Sequence, residues 1–340
     1  MKISMSVLGQ CIVDGKVVPK WQPFRIYLQR RGLELVSIKS KSSSFHIDLE
    51  CEGSYVIEFS RHLPSDRKVL IRVEPKCVNP FQYRKELDSI YSNHVVIASQ
   101  FKTKKESFIW ENGHLPQKKQ LIEILASTKN LDRQLGIGLL NQNKFSSVPG
   151  ELYSFRRLAI NRIINAGIHF ELGGRDWEKS TFWEFKSKVK NYVGNFKSFR
   201  SISFSNFFVN LNKKSKSLII VGSVDDTFKF LSSFEFCLVI ENEETYVSEK
   251  LLNAVISGCI PIYVGPKLTD FGFPANIALE VGRDTKKIID LYRNTTAEQK
   301  IQIRKVGRSW IESEESFQRW GIEPGFNKLA DLLFDISKDS

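Results

Sequence analysis

Phe234-Glu-Phe-Cys-Leu-Val-Ile-Glu-Asn242, Tyr246-Val-Ser-Glu-Lys250 and Gly258-Cys-Ile-Pro-Ile-Tyr-Val-Gly-Pro266 read in order as strand, charged loop, helix and second strand. The apolar run Phe236 to Ile240 stops at a polar pair, Glu241 and Asn242. A helix is predicted to start near Ser248, a good N-cap residue. Its apolar stripe is Val247, Leu251 and Val255, flanked by Leu252 and Ile256. Gly258 suits the end of that helix, and Cys259 to Val264 returns as a buried strand. Glu249 and Lys250 then fall in the helix's first turn, at the carboxyl edge of a parallel sheet, where open α/β folds bind anions. A lysine there opposes the helix dipole, so an anion is expected close by.

These elements resemble the donor-binding segment of the α-1,3/4-fucosyltransferases. Members of that family carry Tyr-Lys-Phe-x-x-x-x-Glu-Asn, a short loop, Tyr-Val-Thr/Ser-Glu-Lys, a helix, and a small-x-x-x-Pro-Ile/Val-Tyr-x-Gly strand. Here they run continuously from Phe234 to Gly265. An ordinary βαβ unit explains the apolar pattern, but not Glu-Asn, Tyr-x-x-Glu-Lys and Pro-Ile-Tyr together. The resemblance covers about residues 150 to 280 well and thins out before residue 68. It implies an inverting glycosyltransferase of the twin-Rossmann (GT-B) fold, with two Rossmann-like α/β domains facing an interdomain cleft. L-Fucose would pass from GDP-β-L-fucose to a hydroxyl of an oligosaccharide, with an α-1,3 or α-1,4 linkage to an N-acetylglucosamine-containing acceptor expected.

The 340 residues suffice for two domains with separate cores. Pro149-Gly150 breaks the strand and helix pattern, which places a boundary between an acceptor-side domain, 1–148, and a donor domain, 149–340. In two-domain transferases of this architecture the last helices often cross back to the first domain. Residues 1 to about 65 read as irregular, with short strand-like runs at Phe24 to Leu28 and Tyr55 to Phe59. Lys68 to Val73 reads as a buried strand, followed by a helical or turn segment to Tyr91 and a strand from His94. Leu135 to Leu140 is a further strand, and a long amphipathic helix runs from Glu151 to about Ala166.

Hydrophobic content of 41% and charged content of 26% are those of a soluble globular protein. No apolar run approaches the roughly 20 residues that span a bilayer, and Met1 to Gly9 is too short and polar for a secretory signal. A cytoplasmic enzyme, or one trimmed of an anchor, is expected. Five scattered cysteines fit a reducing compartment with buried thiols. The net charge of +12 suits a phosphorylated substrate, an anionic membrane surface or nucleic acid. Its basic residues are scattered, and no nucleic-acid-binding module is present, so no nucleic-acid partner is expected. Peripheral membrane contact fits a lipid-linked acceptor. The competing readings are a transferase using another nucleotide sugar, a nucleic-acid-binding protein and a non-catalytic glycan-binding protein.

Inverting transfer needs a base for the acceptor proton and positive charge for the leaving diphosphate. The chain has no Asp-x-Asp, so no metal site and no required cofactor are expected, and side-chain cations take that role. Lys250 is one. The other is Arg156 or Arg157, in Tyr153-Ser-Phe-Arg-Arg-Leu-Ala-Ile160, which resembles the family segment where an arginine opens a helix and contacts diphosphate. Arg156 is followed by Ile160 and Ile163, Arg157 by Ile160 and Ile164. The resemblance further implies that Glu74, ending its strand, is the base, with Pro75 directly after it where many members have Asn. Glu86, Asp88 and Glu111 are the next acids by position. Glu249 would bind the ribose hydroxyls, and Tyr246 and Asn242 would line the donor pocket. Where the family often has Asp-Lys, this chain has Asp226-Thr227, with Lys229 nearby. If cations alone neutralise the diphosphate, transfer measured in excess chelator persists. Complete loss, restored by manganese or magnesium, overturns the cation mechanism.

Overall fold

The computed structural model describes residues 1–6, 12–13, 15–38, 40, 42–48, 61–72, 74–97, 106–110, 115–128, 131–178, 211, 213 and 215–339. The chain divides into two compact units, Met1–Gln117 with Glu314–Ser340, and Lys118–Ser313.

The first unit opens with β1 (Lys2–Ser6), a short antiparallel pair β2 (Ile12–Val13) and β3 (Lys16–Val17), and α1 (Gln22–Gln29). It continues through β4 (Glu34–Val36), β5 (Phe45–Asp48), β6 (Lys68–Arg72), α2 (Leu87–Ile90), β7 (Asn93–Ile97) and β8 (Glu106–Trp110). These strands form a parallel sheet in the order β4-β1-β5-β6-β7-β8. The irregular N-terminal region expected from sequence is therefore a sheet edge built from three strands. Phe24 to Leu28, expected as a strand, is helical. Its apparent alternation hides a helical spacing: Trp21, Phe24 and Leu28 are buried, while Ile26 is 46% exposed. Tyr55 to Phe59 lies outside the described residues, as do Cys11, Cys51 and Glu111.

One face of this sheet holds a polar chain shut away from water. Ser4 Oγ lies 2.8 Å from His46 Nδ1, and His46 Nε2 lies 3.7 Å from Asp48 Oδ2. The buried Tyr91 hydroxyl donates to the same carboxylate oxygen. Burial lowers the pKa of neighbouring Lys68, and the charge of Asp48 works against that shift.

The second unit runs α3 (Lys118–Ser127), β9 (Gln134–Leu140), α4 (Tyr153–Asn165), β10 (Phe170–Gly173), β11 (Leu218–Gly222), α5 (Thr227–Ser232), β12 (Phe234–Ile240), α6 (Glu249–Ile256), β13 (Ile260–Val264), β14 (Leu279–Glu280), α7 (Thr285–Asn294) and α8 (Ala297–Ile311). Its strands are parallel, in the order β11-β10-β9-β12-β13-β14. The boundary expected at 148/149 falls inside this unit. β9 is a central strand of its sheet, hydrogen-bonded to both β10 and β12, so Pro149-Gly150 is a loop within a βα unit and not a linker.

The second core packs Ile160, Ile163 and Ile164 of α4 onto Ile137, Phe170, Leu238 and Ile262 of the sheet. Full burial of each such side chain contributes about 1.5–3 kcal/mol. Below the sheet, Arg133 donates to the carbonyls of Ser232 (2.7 Å), Thr128 (3.0 Å) and Ser257 (2.8 Å) and so ties three loops together. Gly258, with φ +73°, ends α6 in the left-handed conformation that the sequence position suggested. Cys77, Cys237 and Cys259 are buried. Burial pushes the Cys259 thiol up to about 12 and Cys237 upward as well, so both are uncharged packing groups.

After the second unit the chain returns to the first through α9 (Glu314–Trp320) and α10 (Ile322–Asp339). The Arg31 guanidinium donates to Asp331 Oδ1 (2.8 and 2.5 Å) and to Asn327 Oδ1 (3.0 Å) on α10. Phe326 packs its ring 5.5 Å from those of both Trp21 and Phe24. Among the described residues no helix is long and apolar enough to cross a membrane.

Gly138 is required by packing. A Cβ there would lie 2.4 Å from the Phe234 ring. Gly138→Ala is expected to destabilise the protein by roughly 1–3 kcal/mol through overpacking. Chemical denaturation checks this; an unchanged midpoint would mean the ring moves freely.

Candidate functional site

The strand order of the second unit reverses between β9 and β12, the first and fourth strands in sequence. The connections there leave toward opposite faces, which opens a crevice at the carboxyl ends of the two strands. Two loops line it, one running from Asn141 to Leu152 and one from Glu241 to Ser248. They are joined by backbone: Leu152 N–H donates to Asn242 O (2.9 Å) and Glu244 N–H to Gly150 O (3.2 Å). Arg283 reinforces the join, with an ion pair to Glu244 (2.6 Å) and a hydrogen bond to Glu151 O (3.0 Å). The Glu151 carboxylate accepts from Ser154 N–H (3.0 Å) and from its hydroxyl, which closes the first turn of α4.

That turn carries both candidate arginines. Neither faces solvent; each is 2% exposed. Arg156 donates to the carbonyls of Gln142 (3.3 Å), Ile240 (3.0 Å) and Glu241 (3.3 Å), bridging the ends of the two switch-point strands. Arg157 donates instead to Lys144 O (3.0 Å). The two differ in what they reach: Arg156 joins the loop after β9 to the end of β12, and Arg157 meets that loop at Lys144.

Lys250 approaches the end of β12 from the other side. Its Nζ lies 2.8 Å from Ser248 Oγ, 3.2 Å from Asn242 Oδ1 and 3.4 Å from Glu241 Oε2. The anion that the helix dipole called for is thus supplied by the chain itself. Glu241 is fully buried and also accepts from Ser248 N–H (3.1 Å) and Ser248 Oγ–H (2.5 Å). Arg156 and Lys250 therefore converge on one dipeptide, Glu241-Asn242, through its backbone and its side chains respectively.

Glu249 is exposed in the first turn of α6. Tyr246, three residues earlier, is buried. Lys229 is exposed on α5, whose N-terminus is capped by Asp226 (2.9 Å). Glu74 belongs to the first unit. It is half-buried just beyond β6, and Tyr83 OH donates to its carbonyl (2.9 Å). Asp88 pairs loosely with Arg72 (3.9 Å) and His94 (3.7 Å).

Sequence reasoning did not single out Glu241 as a site residue. The signal was present, since a carboxylate directly ending a buried apolar run has to find partners close by. Nor did it foresee Gly265, where a Cβ would lie 2.4 Å from the Tyr263 hydroxyl and 2.8 Å from Glu241 Cγ. Burial and the charges of Glu241 and Glu280 push the Tyr263 phenol upward, so it stays neutral beneath the site.

Compared with family sequence profiles and with curated protein sequences, the chain matches none. Its fold matches solved structures over nearly its whole length. The Anabaena protein Alr3699/HepE, in complex with UDP and glucose, gives a TM-score of 0.54 at 9% identity, over 98% of this chain and 100% of that one. An alpha1,3-fucosyltransferase with GDP gives 0.53 at 12% identity, over 99% and 90%. A second structure of an alpha1,3-fucosyltransferase gives 0.53 at 13%, over 99% and 89%. With two parallel-sheet units of this topology, the assignment of architecture is direct. This is the GT-B fold. At these identities the likeness is one of fold, and the chemistry of this GT-B chain has to be argued from its own residues.

Arg156→Ala removes the donor shared by three carbonyls, two of them in buried contacts, and is expected to cost roughly 1–3 kcal/mol of stability. If the crevice takes a nucleotide, affinity should fall with Arg156→Ala and stay near wild type with Arg157→Ala, read by GDP titration of the two folded variants. The reverse pattern would place Arg157 in the site.

Proposed function

We propose that this protein is an inverting glycosyltransferase that uses a nucleoside-diphosphate sugar, with GDP-β-L-fucose as the donor and a hydroxyl of an oligosaccharide as the acceptor. One observation carries the reading: Arg156 and Lys250 converge on Glu241-Asn242 at the switch point of the second unit. Two cations at the carboxyl edge of a parallel sheet, beside a helix N-terminus, form a site for a leaving diphosphate. The choice of fucose rests on the residues that resemble the fucosyltransferase segment, Glu241-Asn242 and Tyr246 to Lys250, together with the fold shared with an alpha1,3-fucosyltransferase bound to GDP.

In this mechanism the diphosphate is drawn against Lys250 and Arg156, which offset the charge that develops as the glycosidic bond breaks. Glu249, exposed at the start of α6, accepts from the ribose hydroxyls, and Asn242 and Tyr246 line the donor pocket. Glu74 takes the proton from the acceptor hydroxyl as it attacks the anomeric carbon from the face opposite the leaving group. The net charge of +12 fits an acceptor held at an anionic membrane surface by peripheral contact.

A second reading keeps the scaffold and changes the donor. It is favoured by the fold shared with the Anabaena protein, which was solved with UDP and glucose. Donor hydrolysis measured across GDP- and UDP-sugars separates the two.

Lys250→Ala should weaken GDP binding and slow turnover together, by roughly 2–4 kcal/mol at the transition state. Glu74→Gln should leave GDP affinity near wild type and cut turnover roughly 10²–10⁴-fold. Binding titration and initial rates on both variants check the pair. Normal turnover with Lys250→Ala removes Lys250 from the site, and a parallel loss of affinity and rate with Glu74→Gln makes Glu74 a structural residue.

A further inference from the structure

A carboxylate with no exposure to water, such as that of Glu241, is tolerated only where its lone pairs are used. Oε1 accepts from the Ser248 backbone, and Oε2 accepts from the Ser248 hydroxyl at 2.5 Å and from Lys250 Nζ at 3.4 Å. The bond to Oε2 commits the single hydroxyl proton of Ser248. Its oxygen lone pairs are thereby turned to Lys250, whose ammonium sits at 2.8 Å and whose backbone N–H sits at 3.4 Å. Asn242 Oδ1 at 3.2 Å completes three acceptors for the three N–H bonds of the ammonium. Gly265 closes the space behind Glu241, since even a methyl group there would meet its Cγ at 2.8 Å. The carboxylate is held from both sides.

We infer that Glu241 is the positioning residue of the nucleotide site: through the fixed polarity of Ser248 it aims the Lys250 ammonium, and it balances that charge while the site is empty. The inference rests on the donor-site reading above and deepens it. An arriving diphosphate oxygen displaces the longest of the three contacts, the one to Glu241. Ser248 and Asn242 keep hold of the ammonium, so the cation needs little reorientation to receive the phosphate. Glu241 itself touches no substrate and acts only through Ser248 and Lys250.

The test is a double-mutant cycle on GDP affinity, measured by calorimetry on the full chain, with thermal unfolding as a folding control. Glu241→Gln and Ser248→Ala should each weaken GDP binding about ten- to hundredfold, while Ser248→Thr, which keeps the hydroxyl, should restore near wild-type affinity. Lys250→Met should also weaken binding. In the Lys250→Met background, adding Glu241→Gln or Ser248→Ala should cost nothing further, because both act through the missing ammonium. Additive losses would overturn the inference and make Glu241 a structural residue, and so would wild-type affinity in Glu241→Gln. Should Glu241→Gln fail to fold, the Ser248→Ala arm of the cycle decides by the same criterion. If Lys250→Met binds GDP normally, the donor-site reading fails first and the inference falls with it.

Discussion

A guanidinium taken out of water must be surrounded by acceptors, and much of the second unit's switch point follows from how Arg156 meets that demand. The acceptors it finds include main-chain carbonyls just beyond β9 and at the end of β12. Carbonyls hold a cation without neutralising it. Lys250, at the same strand end, is instead balanced by the buried Glu241 carboxylate. The backbone join between Leu152 and Asn242 brings α4 and the end of β12 within reach of one another. Without that join Arg156 could not span both strands, and Lys250 would be alone at the crevice.

The first unit handles buried polarity differently. Ser4, His46, Asp48 and Tyr91 satisfy one another through side chains beside the carboxyl ends of β1 and β5. Such a network specifies its strand pairing strongly, because a slip of one residue would turn His46 and Asp48 to the opposite face and strand their partners. The second unit spends its buried charges on the crevice, whereas the first unit spends them on register.

What was legible in the sequence follows the range over which each residue's surroundings are set. The run from Phe234 to Val264 was readable because strand, cap and helix are decided by neighbours a few residues apart. Ser248 caps α6, Gly258 ends it, and Leu251, Leu252 and Val255 are buried, as the pattern required. α1 was misread because Phe24-Arg-Ile-Tyr-Leu28 alternates well enough for a strand. Its packing against β4 and against Phe326, far away in sequence, selects the helical face. The boundary was misplaced for a related reason. Pro149-Gly150 looks like a break, yet β9 before it is locked between β10 and β12. Arg156 and Arg157 could not be separated by spacing, since Ile160, Ile163 and Ile164 are all buried, and the distinction lies in which carbonyl each reaches. Glu241 was visible as a residue but not as a hub, because Ser248 and Lys250, seven and nine residues on, meet it only once the intervening loop turns back.

The return of α9 and α10 to the first unit has a consequence for biogenesis. On the ribosome, residues 118–313 emerge as a complete contact unit while the first unit still lacks its final two helices. Trp21 and Phe24 wait for Phe326, and Arg31 waits for Asn327 and Asp331. The half of the molecule that is translated first is thus the last to mature. Until synthesis reaches α10, the apolar face that Phe326 covers stays open to wrong association.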